Sequence, residues 1–168
     1  PFIDKDSFER IRRTIQDAES ALLLVEGTIP EGLRNAGWYI PPTIFRDVPL
    51  QHPLWRDEIF GPVLACAQAA TFEDALTIAN DCEYALTGGV FSRNPRNLTM
   101  ARSNFEVGNL YINRGITGAL VGRQPFGGFR FSGVGSKAGG RDYLLQFMEP
   151  RTLTENTMRR GFTPDLQS

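Results

Sequence analysis

Asn113-Arg-Gly-Ile-Thr-Gly-Ala-Leu-Val-Gly-Arg-Gln-Pro-Phe-Gly-Gly-Phe-Arg-Phe-Ser-Gly-Val-Gly-Ser-Lys-Ala-Gly-Gly140 holds nine of the chain's 17 glycines in 28 residues. Glycine weakens helix and strand interiors, and it is used where the backbone takes positive φ or where another group must approach the main chain closely. The stretch therefore reads as a long ordered loop whose main-chain N–H groups face a ligand, fixed to a core by Phe126, Phe129 and Phe131. A loop of this length without its own regular structure is functional or disordered. Ile116, Leu120, Val121 and the three phenylalanines argue against disorder.

Upstream, Val107-Gly-Asn-Leu-Tyr-Ile-Asn113 predicts the strand that delivers the chain into the loop. Asn94-Pro95 supplies a cap and a proline for the first helical position, opening a helix that buries Leu98, Ala101 and Phe105. Thr87 to Ser92 reads as a strand, and Thr71-Phe-Glu-Asp74 starts a helix with Phe72, Ala75, Leu76 and Ala79 on one face. With the apolar run Val63 to Ala67, residues 63 to 113 read strand, helix, strand, helix, strand. This order predicts an α/β fold built on a parallel, helix-covered sheet. Ligands of such sheets bind outside the carboxyl ends of the strands, where the glycine-rich loop departs.

Nearer the start, Asp6-Ser-Phe-Glu9 has the form of a capping box and predicts a helix over 7–19 with Phe8, Ile11, Ile15 and Ala18 on one face. Ala21 to Val25, closed by Gly27, reads as a strand buried on both faces. Trp38 to Phe45 is rich in β-formers, but Pro41 and Pro42 cannot donate to a ladder, so an edge or interrupted strand is expected. Asp47 to Pro62 reads as a loop. After the glycine-rich stretch come a helix near Asp142 to Phe147 and a strand Arg151-Thr-Leu-Thr-Glu-Asn156, whose partner would lie on another subunit. Residues 1–150 are expected to form one α/β unit, and 151–168 an oligomerisation strand and tail.

At 168 residues and 41% hydrophobic content the chain can bury one full core. A net charge of −1 gives no broad basic field for nucleic acid or an anionic membrane, and the Arg159-Arg160 pair reads as a solvated tail or a local contact. No apolar run nears the roughly 18 residues of a membrane span, and Pro1-Phe-Ile-Asp-Lys lacks the basic-then-apolar start of a signal peptide. A cytoplasmic or mitochondrial-matrix protein is the expectation. Cys66 lies in an apolar run and Cys82 follows turn residues, so both read as structural. His52 has no partner at ligand spacing, and no metal site is expected.

Gly133-Val-Gly-Ser-Lys-Ala138 fits the dinucleotide pattern G-x-G-x-x-A, but it lacks the buried strand before it and the βαβ unit after it that the pattern requires. It reads as structural. Glu58 and Phe60 precede the strand at Val63. A carboxylate can accept two hydrogen bonds from the vicinal hydroxyls of a ribose, and a ring two residues on can pack against the sugar or its base. A surface charge beside a core phenylalanine accounts for the same pair.

Glu58-Ile-Phe-Gly-Pro-Val63, Tyr84-Ala-Leu-Thr-Gly-Gly-Val-Phe-Ser92, Val107-Gly-Asn-Leu-Tyr-Ile-Asn113 and Pro125-Phe-Gly-Gly-Phe-Arg-Phe-Ser-Gly133 resemble, in order and spacing, the C-terminal part of the NAD(P)-dependent aldehyde dehydrogenases. Within that superfamily, Asn113 to Gly122, Gln124-Pro-Phe126 and Thr154 to Phe162 are most similar to the L-glutamate γ-semialdehyde (Δ1-pyrroline-5-carboxylate) dehydrogenases. The resemblance implies that Glu58 holds the nicotinamide ribose and that Phe60 packs beside it. It likewise implies that the N–H groups of Gly118 and Ala119 receive the substrate's α-carboxylate while Phe126 packs on its aliphatic chain. Arg123 stands where many relatives carry an uncharged residue, and it would add a guanidinium near the substrate or point outward.

The family's thiolate nucleophile, its glutamate base and its nucleotide-binding sheet are expected N-terminal to this chain, with no catalytic residue in the chain itself. The chain alone is then expected to be inactive, to act with NAD once joined to that region, and to assemble as a homo-oligomer through its last strand. Two other readings stand beside this one. One is a non-catalytic module of the same fold for oligomerisation or regulation, and the other is a free-standing binding domain for acidic amino acids.

Overall fold

A computed structural model of the chain describes residues 1–18 and 22–156. Helix α1 (Lys5–Gln16) starts two residues earlier than predicted, because Asp4 rather than Asp6 accepts the Ser7 N–H, at 2.7 Å. Its Ile11 is fully buried, and Ile15 and Ala18 join a core of Phe45, Val48 and Leu54 with Trp55, Ile59, Val63 and Ala65 against it. Burial of side chains of this size contributes on the order of 1.5–3 kcal/mol each, so this cluster is the main reason the first half of the chain holds together.

Strands β1 (Leu22–Glu26), β2 (Thr43–Arg46) and β3 (Val63–Ala65) form one sheet, with β1 antiparallel and β3 parallel to β2. Two expectations are corrected here. β2 is the central strand, not an edge, while the interrupted alternative holds: the proline pair ends just before it, so Thr43 can donate to Pro62 O (2.8 Å) and its hydroxyl to Pro41 O (3.0 Å). β1 is not buried on both faces, since it lies at the sheet's edge and Leu23, Leu24 and Val25 are each about half exposed. Between β2 and β3, a short helix α2 (Pro53–Arg56) forms in what reads as loop, because His52 Nδ1 accepts the Leu54 N–H at 3.0 Å and proline follows.

Helix α3 (Phe72–Asn80) is capped by Thr71 and α4 (Pro95–Asn104) by Asn94, as their sequences predict. Strands β5 (Thr87–Val90) and β6 (Asn109–Ile112) pair in parallel with α4 as the crossover, so the strand–helix–strand unit is present. The continuous parallel sheet from 63 to 113 is not: β3 pairs with β2, and β5 with β6, in separate sheets. The fold is mixed α/β with several small sheets, and a third joins β4 (Tyr84–Ala85) antiparallel to β7 (Phe129–Arg130).

Gly88 and Gly89 sit mid-strand because both faces of β5 are closely covered. A Cβ at Gly88 would lie 2.6 Å from the Phe105 ring, and one at Gly89 2.8 Å from Ile116. Beyond β7, residues Arg141–Phe147 form a 3-10 helix instead of an α-helix, and residues 151–156 are irregular and exposed, with no strand. The rest of the predicted tail, including Arg159 and Arg160, lies outside the described residues.

Candidate ligand-binding site

Glu58 and Phe60 stand on a turn fixed from behind. Ile59 between them packs on the core, its carbonyl accepts from Arg10 Nη1 at 3.0 Å, and Gly61 lies so close under Ile11 that a Cβ there would meet it at 2.9 Å. The result is that Glu58 and Phe60 are both presented to solvent, Phe60 with 78% of its surface exposed. The reading of Phe60 as a core ring is thereby corrected. Phe60 also holds φ of 57°, a left-handed conformation unfavourable for a bulky residue. Strain of this kind costs on the order of 1–3 kcal/mol and concentrates at functional sites. Arg10 was invisible in the sequence as a support for this turn, since nothing local links it to a residue 49 positions away.

Glu58 lines a cleft of about 340 Å³ with Trp55, Arg56, Cys82, Tyr84 and Phe131. Its floor is tied across by Arg56, whose Nε donates to Leu50 O (2.7 Å) and whose Nη groups donate to Asp81 O (2.7 Å) and Oδ2 (2.6 Å). The Arg56 hydrogen bond holds the Asp81 carboxyl below its ordinary value of 3.8. A depressed carboxylate contributes stability that is present above the unfolded value and is lost as pH falls through the folded one. Asp81→Asn should therefore lower the melting temperature near neutrality, with the gap to the wild type closing as pH falls through and below the ordinary carboxylate range. Thermal melts across that range check it; a gap that stays constant with pH would tell against the ion pair.

The second half of the glycine-rich loop reaches the same cleft. Phe131 and Ser132 line it, Ser132 Oγ accepts the Ala85 N–H at 3.0 Å, and Phe131 N–H donates to Glu83 O at 3.1 Å. Arg130, at φ 55°, donates to the carbonyls of Asn80 and Cys82 and to Glu106 Oε2, which ties β7 to the end of α3. The loop is closed on itself by reciprocal bonds between Phe126 and Ala138, both 2.9 Å, and by Gly122 N–H to Gly139 O at 2.9 Å.

Its first half behaves differently. Asn113, at φ 53°, ties the ends of β5 and β6 through Ser92, accepting at 2.9 Å and donating at 3.0 Å. From Arg114 to Val121 no main-chain N–H donates within the described structure. Gly118, at φ 89°, and the half-buried Ala119 fall in the middle of that run. Two successive unengaged amides on such a turn can receive a carboxylate. Phe126, 39% exposed, follows on the same loop, whereas Arg123 is exposed on the turn between.

Glu58 thus shares a cleft with the loop's second half, while Gly118 and Ala119 lie on the first half and do not line that cleft. Cys82 Sγ accepts the Tyr84 N–H at 3.4 Å and shares the cleft with the Arg56 guanidinium, and Cys66 takes part in the β2–β3 pairing through its backbone. Among the described residues no group of His, Cys, Asp and Glu could hold a metal ion, and no helix is long and apolar enough to cross a membrane.

The chain's relatives agree with this architecture. The model of the aldehyde dehydrogenase family matches residues 1–153. The chain is 50% identical over 155 residues to the 1-pyrroline-5-carboxylate dehydrogenase of Geobacillus kaustophilus and 46% identical to that of Bacillus subtilis, in each case over 92% of this chain and 30% of the relative. Among solved structures, proline utilization A from Bdellovibrio bacteriovorus, inactivated by N-propargylglycine, superposes with a TM-score of 0.88 at 56% identity, over 98% of this chain and 17% of that one. The 1-pyrroline-5-carboxylate dehydrogenase from Thermus with bound NAD gives 0.80 at 43% identity, over 89% of this chain and 28% of that one. The chain spans about 30% of the length of the Geobacillus and Bacillus relatives. By sequence and by fold, it belongs to the aldehyde dehydrogenase family.

Proposed function

We propose that this chain is the ligand-facing C-terminal part of an NAD-dependent dehydrogenase that oxidises L-glutamate γ-semialdehyde to glutamate in proline breakdown. The observation that carries the reading is the pair of unengaged amides at Gly118 and Ala119, set on a positive-φ turn between β6 and the closed part of the loop. A semialdehyde derived from glutamate carries a carboxylate at the far end from its reacting carbon, and that pair is a receptor of matching charge. The similarity to 1-pyrroline-5-carboxylate dehydrogenases, one of them holding NAD, supports the same assignment.

NAD would supply the hydride acceptor. The exposed Glu58 carboxylate suits two ribose hydroxyls, and the strained, exposed Phe60 ring suits the face of the sugar or nicotinamide. Gly118 and Ala119 fix one end of the substrate, and Phe126 packs on its methylenes. In this reading the nucleophile and water-activating base come from sequence outside this stretch, and Cys66 and Cys82 keep structural roles. The exposed segment 151–156, with Leu153 open to solvent, would join subunits.

The test is the complete polypeptide that carries this chain, assayed for NADH formation with the semialdehyde. Turnover that falls sharply when the substrate lacks its carboxylate supports the assignment. No NADH, or equal turnover of an uncharged aldehyde of the same length, overturns it.

A further inference from the structure

Three groups converge beneath the amide pair. Arg114 Nη2 donates to Thr117 O at 3.0 Å, and its guanidinium lies 5.4 Å from the centre of the buried Tyr111 ring in β6. The Gln124 carboxamide, turned so that its NH2 meets a carbonyl and its oxygen meets a guanidinium, donates to Gly118 O and accepts from Arg114 Nη1 at 3.2 Å. Gln124 is itself set by its own N–H, which donates to Leu120 O at 2.7 Å. The guanidinium lies beside Gly118, where a Cβ would be 3.6 Å from Nη2.

The two carbonyls held this way are those of Thr117 and Gly118. In a trans peptide unit the C=O and the following N–H point in opposite directions from one rigid plane, and the described chain has no cis peptide. Drawing Thr117 O toward Arg114 therefore turns the Gly118 N–H away from it, and drawing Gly118 O toward Gln124 does the same for the Ala119 N–H. We propose that Arg114 and Gln124 are positioning residues that aim the Gly118 and Ala119 amides, and so set the preference for a carboxylate-bearing substrate. The inference rests on the reading of those amides as the carboxylate receptor and adds the device that orients them.

Two features separate this role from general charge attraction. Arg114 uses two nitrogens of a planar fork on two different acceptors while its Cζ lies over the Tyr111 ring; a lysine keeps the charge but cannot reproduce that geometry. Gln124 is uncharged, so any effect of its removal cannot come from losing a positive field.

The experiment compares wild type, Arg114→Lys, Gln124→Ala and the double variant in the complete polypeptide. It reads kcat and KM for the semialdehyde against those for an uncharged aldehyde of equal length. Each single variant should lower the selectivity for the charged substrate about tenfold through KM, and the double should cost little more than the worse single because the two act as a unit. Selectivity unchanged in Arg114→Lys or in Gln124→Ala overturns the proposal, as does equal loss on both aldehydes. Gln124 is only half-buried and outside the core, so its variant keeps the test decisive should the arginine variant unfold. A wild type that ignores the semialdehyde would instead sink the receptor reading, and this proposal with it.

Discussion

Ala119→Leu in the complete enzyme is expected to raise the KM for the semialdehyde about a hundredfold while changing the KM for NAD less than about twofold. Hydrogen bonds to a charged group contribute about 1.5–3 kcal/mol each, and losing around 2.7 kcal/mol of them is two decades in affinity at about 1.4 kcal/mol per decade. Ala119 already carries a Cβ on an ordinary backbone, because the positive φ belongs to Gly118. Leucine therefore adds bulk beside the amide without straining the turn. Initial-rate measurements against both substrates check it, with Ala119→Gly, which should stay within about threefold of wild type. Equal increases in both Michaelis constants would tell against the placing of the carboxylate here.

What could be read along the chain was mainly local chemistry. Thr71 and Asn94 act as caps as their sequences predict, because capping is a bond between a side chain and an amide two or three residues on. The same locality misplaced the start of α1: Asp4 and Asp6 are both acceptable caps, and only the bond to Ser7 N–H selects the first. Pairing partners were less legible. Val63 to Ala65 is a strand in sequence and in structure, but no local pattern says that it joins β2 rather than β5.

The glycine-rich loop shows the same division. Its density of glycines announced a backbone that other groups approach, and the amides of Gly118 and Ala119 donate to no acceptor among the described residues. Which groups approach from behind could not be read, because Arg114 and Gln124 lie three residues before Thr117 and six after Gly118, with no periodicity to link them. Likewise Gly88 and Gly89 look like weak points of a strand until Phe105 and Ile116 are seen lying on them. The resemblance of the motifs proposes site roles that residue chemistry alone leaves open.

Gly108→Ala tests the joint between β6 and the loop, and it is expected to cost at least about 3 kcal/mol, the upper part of the range for overpacking a tight site. A Cβ at Gly108 would lie 1.9 Å from Gly127 O and 2.6 Å from Gly128 Cα, and these are backbone atoms that no rotamer change can move. Nor can the two segments simply part. The Lys137 ammonium donates to Gly108 O and to Gly127 O, the latter at 3.0 Å, and Asn109 bridges the same gap by accepting the Gly127 N–H at 3.2 Å and donating to Pro125 O at 2.9 Å. Desolvation lowers the Lys137 pKa, so pushing the strands apart would also disturb a partly buried cation held by those two carbonyls. For a chain of this size the loss corresponds to a fall of roughly 6–12 °C in melting temperature. Gly32→Ala, where a Cβ would meet nothing within 4 Å, should leave the melting temperature within about 2 °C. Thermal unfolding of the complete polypeptide separates the two, and a Gly108→Ala protein that melts with the wild type would mean that β6 and the Gly127–Gly128 backbone are not in contact as described.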